Sequence, residues 1–298
     1  CDIRGVGPGV WNNWKAQLLR NLYHETRDLL TGGSDLTSRR HRVEAAQAAL
    51  AEALADWPGD ARDAELGRHY PHYWLGLDTA TQAVFAELAR EGGAGGGGIL
   101  TRFLQEEGRD ATKACLYMPD HPGLFARITG AFALAGADVV DARTYTTTDG
   151  MACSTFWIQD HEGHPFDPSR IDRLRSLIER TLGGEVIAGE AIAEKEHVRA
   201  REQSFTVPTR IVFDNEGSEL YTIVEVNARD RLGLLHALAR TLAGLNLNIF
   251  QAVIATYGEH AVDVFYVKDL FGLKIRGASK QRVIERRLRE AIEAIEDA

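Results

Sequence analysis

Nothing in this chain suggests a disulfide framework. Its three cysteines, Cys1, Cys115 and Cys153, are few, widely spaced and odd in number, and they read as small core residues of a reducing compartment. Positive charge is also short. With 34 Lys and Arg against 43 Asp and Glu, the net charge is −9, which argues against general nucleic-acid binding, because that needs clustered cationic surface. Long apolar runs are missing as well: none approaches the roughly 18 residues that would span a bilayer, and no basic-then-apolar leader opens the chain. The expectation is a soluble cytoplasmic protein with no membrane partner. An initiator methionine is absent too, since the chain opens Cys1-Asp2-Ile3-Arg4, and the expectation is a piece of a longer protein. Nor does any spacing support a nucleophile–base pair. What is present is globular composition, 44% apolar and 26% charged over 298 residues, enough for two or three domains.

The chain is organised around a duplication. Asp120-His121-Pro122-Gly123-Leu124 has an echo in Asp230-Arg231-Leu232-Gly233-Leu234, and 230 − 120 gives an offset of 110. The flanks keep it: Phe103 matches Phe213, Thr112 matches Thr222, Ala133 matches Ala243, Ala142 matches Ala252 and Thr146 matches Thr256. Past the turn Thr148-Asp149-Gly150 the offset drops by one, so Ala152 meets Ala261 and Phe156 meets Phe265. A length change is best tolerated in a turn. Two copies of one module therefore follow a front part that repeats nowhere.

Residues 1–91 read as helical. Trp14, Leu18, Leu22 and Leu29 recur at helical spacing behind Asn12 or Asn13, an Ala- and Leu-rich helix runs from Thr37 to Asp56, and further helices cover 61–68 and 79–90, around the aromatic stretch 69–74. The glycine run 92–98 reads as a flexible linker; no Lys-Ser/Thr pair follows it to make a phosphate loop. From Ile99 the pattern turns to strands. The first copy (99–188) reads strand, strand, helix, strand, strand, helix, with 189–204 as a solvated linker and 205–298 repeating the order. That is an α+β, ferredoxin-like arrangement with two helices on one face of an antiparallel sheet. The closing strand of a βαββαβ unit is not obvious in either copy. Glu185–Ile187 is short, and the strands ending at Phe103 and Phe213 could complete the sheets instead.

The repeated turn has chemistry of its own. Gly123 and Gly233 permit unusual dihedrals at the mouth of a helix, whose first amides are unpaired and carry positive dipole. Such a mouth suits a carboxylate, while Asp120 and Asp230 beside it could hold an ammonium. An α-amino acid supplies both groups. The plainer reading makes each Asp a helix cap. Asp138 and Asn248, at the start of the second strand of each copy, offer further polar groups at the same end of the sheet, or serve as strand-edge caps. His161-Glu162-Gly163-His164 reads as an exposed loop, and His69 and His72 as core or interdomain packing.

Met118-Pro119-Asp120-His121-Pro122-Gly123-Leu124-Phe125 and Ala228-Arg229-Asp230-Arg231-Leu232-Gly233-Leu234-Leu235 resemble the turns of paired ACT domains, regulatory modules that bind small amino acids. Asp149-Gly150-Met151, Thr155-Phe156-Trp157-Ile158-Gln159-Asp160, Phe205-Thr206-Val207-Pro208 and Val262-Asp263-Val264-Phe265-Tyr266-Val267-Lys268-Asp269 are similar to the C-terminal part of the bifunctional PII uridylyltransferase/uridylyl-removing family. Cys1-Asp2-Ile3-Arg4 and Trp11-Asn12-Asn13-Trp14-Lys15 resemble the closing helices of that family's HD domain.

The resemblance implies a glutamine-sensing part of an enzyme that attaches UMP from UTP to the PII protein and hydrolytically removes it. It implies PII and the parent chain's nucleotidyltransferase and HD domains as partners, and Mg2+ or Mn2+ for the parent enzyme, with no cofactor for this piece. Neither a Gly-Ser…Asp-x-Asp motif nor an adjacent His-Asp pair is present, so no catalytic residue is expected. Asp2 could be a last HD metal ligand, an incomplete site by itself. The glutamine-binding residues implied are Asp120, His121, Gly123, Leu124 and Asn248, with Asp138, Asp230, Arg231, Gly233 and Leu234. Two other readings stand beside this one: a partner-docking module that binds no small molecule, and a residual HD phosphodiesterase fragment.

Overall fold

The computed structural model describes residues 35–93, 98–199, 208–257 and 260–296. Asp2, Cys1 and the helix expected over 12–31 lie outside them. Among the described residues four helices come first: α1 (Asp35–Ala53), α2 (Gly59–Gly67), α3 (Pro71–Gly76) and α4 (Thr79–Gly93). The aromatic stretch therefore holds a short helix opened by Pro71, where a missing N–H does no harm. Helix α4 also takes in Gly92 and Gly93, so the linker begins later than expected.

The first module follows: β1 (Leu100–Glu106), β2 (Ala111–Pro119), α5 (Leu124–Ala135), β3 (Asp138–Thr146), β4 (Met151–Gln159) and α6 (Ile171–Leu182). After α7 (Ala188–Arg199) the second module repeats the order with β5 (Arg210–Asp214), β6 (Thr222–Arg229), α8 (Leu234–Gly244), β7 (Leu247–Tyr257), β8 (His260–Asp269) and α9 (Ala278–Glu296).

All eight strands form one antiparallel sheet, ordered β1-β2-β4-β3-β7-β8-β6-β5. In each half the edge strand is the module's first, β1 or β5. The place left open by a closing βαββαβ strand is filled from the front, because β1 and β5 are extended while Glu185–Ile187 leads directly into α7. The halves join through β3 and β7, where Asp141 faces Val253, Ala142 faces Ala252 and Arg143 faces Gln251. Ala142 and Ala252 are equivalent residues, so the seam lies on a local twofold. Both seam strands carry a register shift at the same place, between Val139 and Asp141 and between Ile249 and Gln251.

Helices α5, α6, α8 and α9 cover one face over a single core that includes Phe132, Phe156, Leu174, Leu238, Phe265 and Leu288. On the other face the described front helices pack mainly on the first half: Leu50, Tyr73, Trp74 and Phe85 pack with Cys115, Tyr117, Tyr145 and Cys153. The strands record this difference. Residues 111–118 of β2 are buried throughout, whereas β6 alternates buried and half-buried, as expected for strands covered on two faces and on one. Cys115 and Cys153 are buried and free, and burial pushes the Cys115 thiol up to about 12. They are core residues, as read from the sequence. His69 stacks on Tyr73 at 3.7 Å and His72 lies against Tyr145 and Phe250, one from each module.

Helix α7 differs from the solvated linker expected over 189–204. Its Ala188 and Ile192 are buried with Leu134, beside Leu232, so the connection between the modules is packed onto both.

Candidate ligand site at the seam

The two repeated turns fold alike. In each, the strand ends, the Asp follows, and a glycine takes the left-handed region: Gly123 at φ 80° and Gly233 at φ 82°. Leu124 N–H donates to His121 at 3.1 Å and Leu234 N–H to Arg231 at 3.1 Å, while Arg127 and Ala237 donate back to the two glycines. The glycine itself is the cap, and no side-chain bond caps either helix. The helix-cap reading of Asp120 and Asp230 therefore does not describe their carboxylates. Leu124 and Leu234 are buried anchors, each 4% exposed.

Around this shared frame the copies differ. In the first, Thr146 Oγ1 donates to Asp120 Oδ2 at 2.6 Å, and the Asp120 N–H donates to Gly150 at 2.9 Å. His121 is exposed, its Nδ1 3.1 Å from the Pro122 carbonyl. Asn248, exposed, pairs in register with Lys268, and it has no hydrogen bond to Asp120 among the described residues.

In the second copy, Asp230 lies at the rim of the turn, where burial pushes its pKa up and the charge of Asp138 adds to the rise; the Arg231 N–H and His161 act against it. Asp138 belongs to the first module and has His161 Nδ1 at 2.7 Å. The charge of Asp138 thus acts on Asp230 across the seam. Arg231 Nε is buried without a partner among the described residues. A Cβ on Gly233 would stand 2.7 Å from Ile192 of α7, whereas one on Gly123 would meet nothing within 4 Å. Helix α7 covers the second turn and leaves the first open.

Sequence reasoning missed four contributors here: Thr146, His161, Ile192 and Asp263. Only Asp263 left a signal, an acid on β8 in phase with the core residues Ala261, Phe265 and Val267. It is 2% exposed, and its Oδ1 has no partner among the described residues. Burial first, and Asp230 second, push its pKa up to about 8.

The opposite face ties the first turn to the front helices. The β3–β4 turn that receives the Asp120 N–H also donates from Thr148 N to the Arg68 carbonyl at 2.9 Å. Arg68 in turn donates to Asp149 and to the Tyr117 hydroxyl, both at 2.6 Å. Nearby, Lys113 Nζ reaches Thr81 Oγ1 at 2.9 Å and Glu106 at 3.1 Å, and buried Asp141 lies between Arg109 and Arg143.

Residues 116–174 match the ACT domain model, and residues 218–295 match the N-terminal ACT domain of the ACR family. Both modules are ACT domains. Over 98% of its length the chain is 54% identical to the bifunctional uridylyltransferase/uridylyl-removing enzyme of Ruegeria pomeroyi, and over 98% it is 55% identical to that of Cereibacter sphaeroides. A Bradyrhizobium enzyme of the same name is 42% identical over the whole chain. The chain spans about a third of these relatives, 32%, 31% and 32% of their lengths. The ACT pair accounts for the duplication and for the single sheet shared by both halves. Among the described residues no group of three or more His, Cys, Asp and Glu could hold a metal ion, and no helix is long and apolar enough to cross a membrane.

Proposed function

We propose that this ACT pair senses glutamine and regulates the uridylyl-transferring and uridylyl-removing activities named in its relatives, exerted on the PII protein in the cytoplasm. One observation carries the reading: at a glycine-opened helix mouth of the second module, Asp230 feels the charge of Asp138 of the first, so that a ligand there would meet the field of both modules. The unpaired amides at that mouth suit the α-carboxylate, and the acids suit the ammonium. The helix dipole contributes only about 0.3–2 kcal/mol, while a millimolar ligand requires about 4.1 kcal/mol. The acids and the turn side chains must supply the remainder, and Arg231, with its unpartnered Nε, is the candidate for a further contact to the carboxylate.

Coupling requires that the ligand bind two arrangements of the protein unequally. Support for a route comes from the first turn: Asp120 is one backbone hydrogen bond from the β3–β4 turn, which Arg68 of the front part holds. In this reading a ligand that shifts the turn shifts the helices. Mg2+ or Mn2+ would serve catalytic domains elsewhere in the parent chain; Asp2 lies outside the described residues.

Calorimetry on this chain with glutamine, glutamate and UTP tests the reading. Glutamine is expected to give heat in the millimolar range or below, UTP none, and Asp230→Ala to abolish the glutamine signal. Absence of heat with glutamine contradicts it. PII binding that persists in Asp230→Ala, in a chain with no glutamine response, would favour the docking module instead.

A further inference from the structure

We propose that the turn after β8 and the first half of α9 form a docking surface for the part of the parent enzyme that lies outside this chain, at a face of that part where carboxylates surround an apolar depression. The proposal takes from the reading above only that the chain is the regulatory third of a longer enzyme, and it does not require glutamine. The tip of the turn carries Leu270, Phe271 and Leu273, which are 55%, 85% and 62% exposed. Phe271 is the most exposed large apolar side chain among the described residues. Keeping three such side chains in water within four consecutive residues forgoes the burial that normally stabilises them. An apolar patch of this kind, rimmed by polar groups, marks an interaction surface.

The fold does not need apolar residues there, because the first module builds the same turn over Asp160–His164 without them. Asp160 Oδ1 accepts from the N–H groups of Glu162 and His164, both at 2.9 Å. Asp269 Oδ1 accepts likewise from Phe271 at 3.0 Å and Leu273 at 2.9 Å, and Gly163 at φ 83° matches Gly272 at φ 74°. One frame thus carries His161, Glu162 and His164 in the first module and Leu270, Phe271 and Leu273 in the second, and all six are exposed. The helices that follow differ too. Residues 274–289 hold seven Lys and Arg and one Glu, whereas the matching residues 165–180 hold four Arg and three acids. Lys280 Nζ reaches Asp269 Oδ2 at 3.4 Å, which sets the start of α9 beside the tip. Val283, 43% exposed, lies three residues on along the same face. Arg276 and Arg282 are exposed and have no ion pair or hydrogen bond among the described residues.

The sheet places this surface next to a contact already described. Strands β4, β3, β7 and β8 alternate in direction, so β4 begins at the end of the sheet where β8 finishes. At that end the front part holds the turn before β4, since Thr148 N–H donates to the Arg68 carbonyl and Arg68 donates to Asp149. The tip follows three strand spacings away, roughly 14 Å. This chain spans 32% of the Ruegeria relative, and a body that continues from the front helices past this end of the sheet meets the tip. Carboxylates on that body would pair with Arg276, Lys280 and Arg282 while a depression between them receives Phe271. An anionic lipid surface also suits bases around an apolar tip, but it has no continuity with the Arg68 contact.

The test places photoreactive benzoylphenylalanine at position 271 of the full-length enzyme that carries this chain, and maps the adducts by digestion and mass spectrometry. The expected result is an adduct within the same polypeptide, on a stretch outside the 298 residues that is rich in Asp and Glu. Arg276→Glu together with Arg282→Glu should cut its yield at least fivefold, while Arg173→Glu, at the matching position of the first module, should leave it unchanged. The same group placed at Glu162 should give no such adduct. Absence of an adduct at 271, one confined to a second copy of the enzyme, or one formed only with phosphatidylglycerol in added vesicles overturns the proposal. None of these results touches the glutamine heat of the isolated chain, so the two readings fail separately. Every substitution falls on an exposed side chain; if the double reversal fails to fold by thermal melt, the map from position 271 still decides.

Discussion

Gly123 and Gly233 show how much a repeated residue can disclose before a structure is seen. A left-handed backbone costs a non-glycine residue about 1–2 kcal/mol, so Gly123→Ala should destabilise the chain by about that amount. Gly233→Ala should lose more, because its Cβ would also press on Ile192 at 2.7 Å; denaturant melts of the pair would show the order. Asp120, Asp230 and Asp138 stand out as candidates for the same reason, as polar residues recurring at one end of a duplicated sheet. Asp263 does not, because its first-module counterpart is Ser154 and repetition hides what only one copy possesses. Its effect on stability has a definite sign. The folded carboxyl holds its proton to about pH 8, against roughly 3.9 in an unfolded chain. The native state therefore loses stability through Asp263 as pH rises across that window. Asp263→Asn should be more stable than the unmodified chain at pH 8, the gap widening by up to about 1.4 kcal/mol per pH unit. Melts that are parallel across pH 5–8 would contradict this.

At the scale of elements, the strands and helices of the modules follow from periodicity, and their order from the duplication. Two features did not follow. The position of β1 and β5 at the sheet edges depends on tertiary pairing, which a local pattern shows only as an extended segment. Helix α7 escaped because Ala188 and Ile192, buried among the described residues, stand in a charged stretch, and composition alone suggests a solvated connector. Packing decides its role. Ile192→Ala should cost about 2–5 kcal/mol by the usual loss for a buried aliphatic, and should raise hydrogen exchange in the Asp230–Leu234 turn more than in Asp120–Leu124. Equal change in both turns would show that α7 supports the modules generally and does not hold the second mouth.

For the whole molecule, a continuous sheet makes the two modules one body, and its second face carries the described front helices mainly on the first half. Arg68 is the junction between the turn after β3 and those helices. If glutamine binds as proposed, Arg68→Ala should leave its affinity within about threefold, yet uncouple the front helices, so that any exchange protection from glutamine over residues 59–76 is lost. Loss of affinity itself would place Arg68 in the binding site. The seam remains the decisive place, since only a site built from both modules lets one ligand bias their relation. A double-mutant cycle measures it: glutamine affinity of the chain with Asp230→Asn, Asp138→Asn and both. Each single change should weaken binding at least tenfold, and the double change by clearly less than their product. If Asp138→Asn binds glutamine as the unmodified chain does, the site lies within one module and the seam does not sense.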